Sequence, residues 1–436
     1  MGHLVSTVEL AKLLLHLDSN LSISILIMKR PYDSKITSYI DSLTSATTGR
    51  LKFINLPQSF PGDIIKFMST LVETQRPLVK ETLANEFGVP SYVFYTSGAA
   101  FLGFKFYTQV LHEEQNVEFH ELKDSEAEFT IPTYANPVST KSFPPIMFRP
   151  DTEAVTFVFN ISKGLREMRG IMVNTFSELE SYAIDSFSND KLQIPPVYPV
   201  GPILDLAGPS GTHLNYDTIM RWLDEQPRSS VVFLCFGSMG SFSVEQVIEI
   251  ANALEKSGHR FLWTLRRPGE QVKGVRGNST DYENVADVLP EGFLDRTAGI
   301  GKVIGWAPQV SVLSHPATGG FVSHCGWNST LESIWFGVPM AAWPLYADQH
   351  MNALLLVKDL RLAVDLKMDY KNYVDEVEIV KAEHIERGIR CLMEHDSEVR
   401  KNMKEMSDKS RKALVDGGSS HLSLRGFIDD VTNNLP

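Results

Sequence analysis

The sequence predicts an α/β fold made of two doubly wound domains that face each other across a cleft. Strand-like runs rich in β-branched residues alternate with helix-like runs along nearly the whole chain, a pattern typical of parallel sheets covered by helices on both faces. The 436 residues are enough for two large domains. A proline-rich stretch near residue 200 separates two such series and indicates the domain boundary.

The first series of elements fills the N-terminal domain, which we place at residues 1–204. Leucines recur at helical spacing over Leu4–Leu17, so this stretch is predicted to be an amphipathic helix. Isoleucine alternates with serine within Leu21–Ile27, which predicts a strand. The remaining predicted elements of this domain are a helix over Asp63–Leu83 and strands at Leu51–Leu56, Ser91–Tyr95 and Gly170–Thr175.

Proline and glycine dominate the boundary between the two series. The run Ile194–Pro202 holds four prolines in nine residues, and small polar residues with two glycines follow it. Prolines and glycines interrupt regular structure and mark turns and linkers. We therefore predict an interdomain linker over Pro195–Asn215.

The second series of elements fills the C-terminal domain, residues 205–415. Its strands are predicted at Val231–Phe236, Phe261–Leu265, Lys302–Ile304, Gly320–Ser323 and Met340–Trp343. Its helices are predicted at Val244–Ser257, Ser329–Phe336, His350–Asp359, Ala382–Glu394 and Glu398–Leu414. A last helix over Leu422–Asn433, within residues 416–436, is expected to pack back on the N-terminal domain.

Composition excludes several classes of function. The chain carries 41 Lys+Arg against 53 Asp+Glu, a net charge of −12, which argues against a partner made of nucleic acid or acidic membrane. Its three cysteines are far apart in sequence, so neither a disulfide framework nor a zinc site is predicted, and a reducing, cytoplasmic location is expected. The longest apolar run, Ile334–Ala347, is broken by glycine and proline and is too short for a membrane span.

A short turn in the C-terminal domain is a candidate anion site. Cys325-Gly-Trp-Asn328 joins a predicted strand, which ends in His324, to a predicted helix, with Asn328 or Ser329 as its N-cap. The free N–H groups and the positive dipole end of a helix N-terminus attract anions, and glycine lets an anion approach the backbone. The turn could seat a diphosphate without metal, although an ordinary capped strand–helix junction is the commoner use of such a turn.

Side chains around this turn could hold the rest of a nucleotide sugar. Trp306 could stack on a flat base, and Glu332, placed in the first helical turn, could accept hydrogen bonds from ribose hydroxyls. Asp348 and Gln349 offer the acceptors and donors that sugar hydroxyls need. Each residue also has a purely structural interpretation, namely a core tryptophan, a carboxylate at a helix start, and N-capping of a helix at His350.

The whole stretch Trp306–Gln349 resembles a known signature. Its WAPQ, HCGWNS, LES and DQ segments closely resemble the plant secondary-product glycosyltransferase signature of the family-1 UDP-glycosyltransferases. The resemblance extends over nearly the whole chain and includes Gly2-His3-Leu4, Val173-Asn-Thr-Phe176 and Phe236-Gly-Ser238. It implies two facing Rossmann-like domains, the glycosyltransferase B architecture, with the nucleotide sugar held by the C-terminal domain.

The resemblance also implies a role for each residue of the donor site. Uracil would stack on Trp306, and Ala307 and Gln309 would bond the uracil and ribose region. Glu332 would take the ribose hydroxyls. The residues implied to hold the diphosphate are His324, Gly326, Trp327, Asn328 and Ser329, with help from Ser238. Those implied to bind the glucose hydroxyls are Asp348, Gln349 and, from the other domain, Thr96.

The activity implied is transfer of glucose from UDP-glucose, with inversion, to a hydroxyl of a small lipophilic plant metabolite such as a flavonoid or terpenoid. His3 would remove the acceptor proton, because histidine titrates near working pH. The closing Gln349, rather than histidine, is associated with glucose in this family. No cofactor, metal or nucleic acid is expected, and the protein is expected to be a monomer.

Two departures from the family pattern favour an alternative. The family has a strand before its Gly-His pair, and another strand with an aspartate that orients the histidine. Here Gly2-His3 opens the chain, and Lys80–Ala84 joins two helical runs directly, with only Glu81 and Glu86 nearby. The alternative is a catalytically impaired UDP-sugar-binding protein. An NAD enzyme is disfavoured, because Gly299–Ile304 lacks the third glycine of the dinucleotide motif.

The acceptor pocket is the least defined part of the sequence prediction. Four phenylalanines of the N-terminal domain could line an apolar pocket or simply pack in the core, and core packing is the expected use. They are Phe101, Phe104, Phe106 and Phe148.

Overall fold

A computed structural model describes most of the chain. The described residues are 2–27, 39, 49–55, 90–149, 152–188, 194–206, 215–269, 271–272, 275–276, 279–370 and 378–434. The predicted helix over Asp63–Leu83 and the segment with Lys80–Ala84, Glu81 and Glu86 lie outside them.

The N-terminal half is built on short strands, most of them parallel. They are β1 (Ile23–Ile27), β2 (Leu51–Asn55), β3 (Tyr92–Tyr95), β4 (Glu128–Phe129), β5 (Val138–Ser139), β6 (Gly170–Val173) and β7 (Val197–Pro199). β1 pairs with β2, and β3, β6 and β7 form a second parallel sheet in the order β3-β6-β7. β4 and β5 form a separate antiparallel ribbon. Between β1–β2 and β3–β6–β7 the described part of the chain has no ladder of hydrogen bonds.

Helices cover these strands. They are α1 (Gly2–Leu17), α2 (Ala99–Gln115), α3 (Thr152–Arg166) and α4 (Ser181–Phe187), with short 3-10 turns at Phe119–Leu122, Thr140–Ser142 and Pro145–Phe148. The guanidinium of Arg50 donates to the carbonyls of Leu15 and Asp18 at the C-terminal end of α1, so this end is satisfied by a side chain from the start of β2. Three of the four predicted pocket phenylalanines, Phe104, Phe106 and Phe148, are buried in the core, and only Phe101 stays half-exposed.

The predicted linker is wrong in its first part. Residues Val197–Pro199 form β7, and the backbone N–H of Ile171 donates to the carbonyl of Pro196 at 2.8 Å. Prolines are tolerated here because β7 is the edge strand of its sheet and needs to pair on one side only. Proline content alone could not distinguish such an edge strand from a linker.

The C-terminal half contains one large parallel sheet. Its strands are β8 (Val231–Cys235), β9 (Arg260–Thr264), β14 (Gly301–Ile304), β15 (Thr318–Ser323), β16 (Met340–Ala342) and β17 (Ala363–Asp365). They lie in the order β14-β9-β8-β15-β16-β17, and every pairing is parallel. Two small ribbons pair β10 (Arg266–Arg267) with β13 (Thr280–Asp281) and β11 (Gln271–Val272) with β12 (Val275–Arg276).

A further set of helices belongs to this half of the chain. They are α5 (Tyr216–Asp224), α6 (Val244–Ser257), α7 (Phe293–Thr297), α8 (Gln309–Ser314), α9 (Trp327–Phe336), α10 (Gln349–Leu354), α11 (Ala382–Met393), α12 (Glu398–Leu414) and α13 (Ser419–Asn433), with a 3-10 turn at Val285–Asp287. α10 continues into a π-helical turn at Leu355–Asp359. α9 begins two residues before the predicted Ser329, and α13 three residues before the predicted Leu422.

The central strands are buried. All five residues of β8 and all six of β15 lie in the interior, which explains their continuous apolar or small-residue sequences. The rings of Phe233 and Phe321 stack with their centroids 5.3 Å apart between these two strands. Within the described residues, no helix is both long enough and apolar enough to span a membrane.

The last helix of the chain contacts the N-terminal half. Leu424 and Phe427 of α13 are buried beside Leu10 and Leu14 of α1. The hydroxyl of Tyr92 donates to Asp430 at 2.5 Å. These contacts tie the end of the chain to β3 and to the first helix.

Candidate active site

The candidate site lies where the carboxyl ends of the parallel strands meet. Turns that follow β8, β14, β15 and β16 carry Ser238, Trp306, His324 and Asp348, respectively. A turn that follows β3 of the N-terminal half carries Thr96. Open parallel sheets bind ligands at this edge, so the topology brings the predicted donor residues together.

The turn between β15 and α9 has a backbone suited to an anion. Cys325 adopts a positive φ of 61°, which is uncommon for a residue with a side chain, and Gly326 is the N-cap of α9. The predicted N-cap at Asn328 or Ser329 is therefore wrong. Both residues lie in the first turn of α9, where backbone N–H groups have no acceptor within the helix and are available to a phosphate.

His324 is held between two glycine turns. A Cβ built on Gly237 or on Gly326 would stand 2.6 Å from its Nε2, so both positions require glycine for steric reasons. This packing also places the turn that carries Ser238, which is itself exposed, next to the turn before α9. Residues that are predicted to hold the diphosphate, and that follow two different strands, are thereby brought into one small region.

The imidazole of His324 is neutral in the unliganded protein. Burial lowers its pKa to about 4, because the charged form loses its hydration. Its Nδ1 is buried and has no hydrogen-bond partner in the described part of the chain. A neutral ring with one N–H can donate a single hydrogen bond to a phosphate oxygen.

Gln309 organises the residues that are predicted to bind the ribose. Its Nε2 donates to Oγ of Ser329 at 2.9 Å and to Oε2 of Glu332 at 2.6 Å. Gln309 therefore positions two other donor residues in addition to any contact of its own with the nucleotide. Ala307 is buried, and Trp306 is half-exposed in the turn between β14 and α8.

Glu332 lies in the second turn of α9, which corrects its predicted place in the first turn. The helix dipole therefore contributes little to its carboxylate, because this effect falls off within one turn. Burial raises its pKa to about 7, and the hydrogen bond from Gln309 opposes part of that rise. Near neutral pH, Glu332 is thus balanced between its protonated and ionised forms.

Trp327 joins the two halves of the molecule. Its indole Nε1 donates to the carbonyl of Asn174, just after β6, at 2.7 Å. A Cβ on Gly98 would lie 2.9 Å from the same indole ring, so the tryptophan fills the space that this glycine leaves. Since the indole N–H is occupied, residue 327 can offer a phosphate its backbone N–H but not its side chain.

Asp348 receives hydrogen bonds from both halves. Its Oδ2 accepts from Oγ of Ser97 at 2.5 Å and from Nδ2 of Asn352 at 3.1 Å. Although Asp348 is the residue before α10, its side chain caps no backbone group of that helix. The sequence resemblance pointed to Thr96 as a sugar-site residue but not to Ser97, although both residues follow the end of β3.

Gln349 is more constrained than the sequence suggested. Its Oε1 accepts from the backbone N–H groups of Leu345 and Tyr346 at 2.9 and 3.0 Å. The amide oxygen therefore shapes the turn before α10. Its NH₂ group remains to donate to a sugar hydroxyl, so only the donor half of the predicted role is compatible with this geometry.

The buried carboxylate of Glu180 holds the start of α2 on the N-terminal side of the cleft. Glu180 accepts from the backbone N–H groups of Ala99 and Ala100, both at 2.8 Å, and so satisfies the start of α2. Burial raises the pKa of Glu180, and these two N–H groups counteract the rise. The sequence pattern did not single out Glu180, because its partners are distant in sequence.

His3 lies in the first turn of α1, and its side chain is outside the described part of the structure. One turn further along α1, Oγ of Ser6 contacts Oδ1 of Asn328 at 3.5 Å. Residues three apart share one face of a helix, so His3 and Ser6 occupy the same face of α1. The start of α1 is therefore close to the turn between β15 and α9.

Comparison with known proteins identifies the family. Residues 217–375, which include all of α9 and its turn, match the family described as UDP-glucoronosyl and UDP-glucosyl transferase. The anthocyanidin 3-O-glucosyltransferase 1 of Manihot esculenta is 50% identical over 462 residues, covering 99% of this chain and 100% of the relative. The chain belongs to this UDP-glycosyltransferase family.

Other members of the family agree in sequence and in structure. The UDP-glucose flavonoid 3-O-glucosyltransferase 6 of Fragaria ananassa is 50% identical, with 99% of this chain and 96% of the relative covered. A crystal structure of a UGT transferase from Siraitia grosvenorii in complex with UDP has a TM-score of 0.87 at 45% identity, covering 99% of this chain and 97% of that one.

A glycosyltransferase from Medicago truncatula complexed with UDP-glucose superposes with a TM-score of 0.86 at 39% identity, covering 99% of this chain and 96% of that one. These neighbours confirm the predicted α/β fold with the glycosyltransferase B architecture.

Proposed function

We propose that the protein transfers glucose from UDP-glucose to a hydroxyl group of a small lipophilic plant metabolite, with inversion at the anomeric carbon. Relatives at 50% identity are named anthocyanidin and flavonoid 3-O-glucosyltransferases. The observation that carries the proposal is the Ser97–Asp348 hydrogen bond, because it joins the carboxylate of the sugar site to the opposite half of the molecule. The acceptor is expected to bind on that opposite side.

Different donor residues bind different parts of the nucleotide sugar. Uracil stacks on Trp306, and the ribose hydroxyls bind Glu332, which Gln309 orients through its Nε2. The diphosphate is held by His324 and by the N–H groups at the start of α9. The remaining donor contacts come from Ala307, Gly326, Trp327 through its backbone, Asn328, Ser329, Ser238, Thr96, Asp348 and Gln349.

The chemistry is one displacement. His3 takes the proton of the acceptor hydroxyl while the acceptor oxygen bonds to the anomeric carbon and the bond from that carbon to the UDP oxygen breaks. The electron pair leaves with UDP, and the N-terminus of α9 stabilises the negative charge that develops there. No step requires a metal ion, because backbone N–H groups and a neutral imidazole supply the donors.

The proposal extends to domain organisation and location. The acceptor domain is placed at residues 1–204 and the donor domain at residues 205–415, with residues 416–436 returning to the first, in keeping with the packing of Leu424 and Phe427. A cytoplasmic location is supported by the cysteines, since Cys235, Cys325 and Cys391 are all free thiols.

The test is incubation with UDP-glucose and a panel of flavonols and terpenoids in the presence of a chelator, read by mass spectrometry. We expect products heavier by one hexose, and we expect His3→Ala to abolish them while the affinity for UDP-glucose persists. Binding of UDP-glucose without transfer to any acceptor would favour the impaired, sugar-binding alternative instead.

A further inference from the structure

Lys105 is a half-buried lysine on the N-terminal wall of the cleft. It belongs to α2, which begins directly after the turn whose Ser97 binds Asp348. Phe101 and Lys105 are one helical turn apart, and the Nζ of Lys105 lies 5.8 Å from the ring centroid of Phe101. The two residues form a half-exposed stripe on a helix whose adjacent residues Leu102 and Phe104 are buried.

No carboxylate in the described part of the chain forms an ion pair with Lys105. Among the described residues, Asp348 is the acid whose charge raises the pKa of Lys105, and its Oδ2 already accepts hydrogen bonds from Ser97 and Asn352. Burial lowers the pKa of Lys105 to about 8, which means that the ammonium still predominates at neutral pH but lacks full hydration.

Lys367, another lysine that is largely shielded from solvent, shows how such an ammonium is usually paired. The side chain of Lys367 is only 14% exposed, and it is paired with both Asp369 at 2.9 Å and Glu378 at 3.1 Å. These two acids raise the pKa of Lys367, in the opposite direction to the shift of Lys105. A shielded ammonium is normally paired in this way, so Lys105 has an unfilled requirement for an anion.

Two phenols near the same carboxylate are also unpaired. The hydroxyl groups of Tyr95 and Tyr134 are buried and have no hydrogen-bond partner among the described residues. Both phenols are close enough to Asp348 for its charge to raise their pKa, although burial is the larger cause. The N-terminal side of the Asp348 region thus holds one ammonium group and two buried phenols that have no partner among the described residues, and of these the half-buried ammonium of Lys105 is the group that a ligand can reach.

We propose that Lys105 determines acceptor specificity by binding the carboxylate of an acidic aromatic acceptor whose ring lies against Phe101. The inference rests on the proposed function and names its substrate class. The diphosphate is held by the C-terminal half, and glucose is uncharged, so the UDP-glucose donor leaves this ammonium without an anion. The same carboxylate chemistry could come from a uronic acid on the donor, and the experiment separates the two sources.

The experiment compares 4-hydroxycinnamic acid with its methyl ester as acceptors for UDP-glucose. In the unmodified protein, kcat/KM for the acid should exceed that for the ester by about tenfold, equivalent to ~1.4 kcal/mol. Lys105→Met should remove this preference through a higher KM for the acid, while the ester is little affected. Lys105→Arg should retain the preference, because it keeps the charge.

The matched control is Lys163→Met, since Lys163 is exposed and paired with Glu113 at 2.9 Å. Unchanged affinity for UDP shows that each variant is folded. Calorimetry also measures the affinity of UDP-saturated protein for the acid and for the ester, without turnover. The role of Lys105 can therefore be tested even if the protein binds acceptors but transfers no sugar.

Equal use and equal binding of acid and ester by the unmodified protein would overturn the inference. It would also be overturned if Lys105→Met weakened both acceptors alike. With UDP-glucuronate tested as a second donor, an effect of the variant on this donor alone would assign the carboxylate to the donor and overturn the inference too. Absence of hexose transfer together with a retained, Lys105-dependent preference in binding would instead count against the proposed function alone.

Discussion

At the scale of single residues, the site depends on close packing around His324. The imidazole fits between Gly237 and Gly326 with no room for a methyl group at either position. Sequence reasoning recognised His324 and Gly326 as part of an anion turn, but it could not foresee that Gly237, from another strand, closes the opposite side. That contact depends on how β8 and β15 pair.

Gly326→Ala should therefore damage donor binding. The backbone at Gly326 has φ of −63°, which alanine tolerates, so any loss must come from the clash with Nε2 of His324. We expect the affinity for UDP, measured by calorimetry, to fall about tenfold or more. Gly299→Ala is the matched control, because a Cβ there meets nothing within 4 Å. Equal behaviour of the two variants would show that His324 does not require this packing.

Glu332 should make donor binding depend on pH. Its pKa is raised to about 7 in the free protein, so the carboxylate is mostly protonated below this value and mostly ionised above it. An ionised carboxylate accepts stronger hydrogen bonds from ribose hydroxyls, so the affinity for UDP-glucose should increase from pH 6 to pH 8.

Glu332→Gln should bind UDP-glucose more weakly at pH 8 and with little dependence on pH. UDP-glucose is the suitable probe, because its diphosphate has no proton to lose in this range. If the affinity of Glu332→Gln for UDP-glucose changed with pH as much as that of the unmodified protein, another group would be responsible for the pH dependence.

At the scale of elements, the sequence predicted the regular parts of the C-terminal half closely. The helices Val244–Ser257 and Glu398–Leu414 have the predicted bounds, since serine N-caps (Ser243 and Ser397) mark their starts. The start of α9 was predicted two residues late, because Gly326 caps it without a side chain. The π-helical turn after α10 had no signal in the sequence, because it depends on a change of hydrogen-bond register.

Trp327→Phe should separate donor binding from turnover. Phenylalanine keeps an aromatic ring beside Gly98 but loses the hydrogen bond to the carbonyl of Asn174. We expect the affinity for UDP to be nearly unchanged, because the first-turn N–H groups of α9 remain, and kcat to fall about tenfold as the two halves lose their alignment.

The matched control for this variant is Trp335→Phe in the same helix, whose ring contacts Arg411 on the surface. A fall in UDP affinity as large as the fall in kcat would mean that Trp327 supports only the fold of the turn.

At the scale of the whole molecule, the two halves are joined by polar contacts around the cleft. Besides the bonds of Trp327 and Ser97, Asp359 of the π-helical turn accepts from the backbone N–H of Ala135 and from the side chain of Asn136 at 3.0 and 2.6 Å. None of these pairs could be predicted from one sequence, because the partners are far apart along the chain and share no periodic pattern. The resemblance named the candidate donor residues, whereas only the structure shows what holds these side chains in place.

The last helix should contribute to the stability of the N-terminal half. Tyr92→Phe removes the donor to Asp430, and we expect the free energy of unfolding in urea to fall by about 1 kcal/mol. Tyr182→Phe is the control, because Tyr182 is 55% exposed. An equal, negligible effect of both changes would show that α13 is held by its apolar contacts alone.

The central claim is that a helix N-terminus and a neutral histidine bind the diphosphate of UDP-glucose in the cleft between the two halves. A crystal structure of the protein with UDP-glucose tests it most directly. We expect diphosphate oxygens within hydrogen-bond distance of His324 and of the first backbone N–H groups of α9, with the sugar beside Asp348. Density for the nucleotide at another surface, or for a metal ion linking its phosphates to protein carboxylates, would contradict the account.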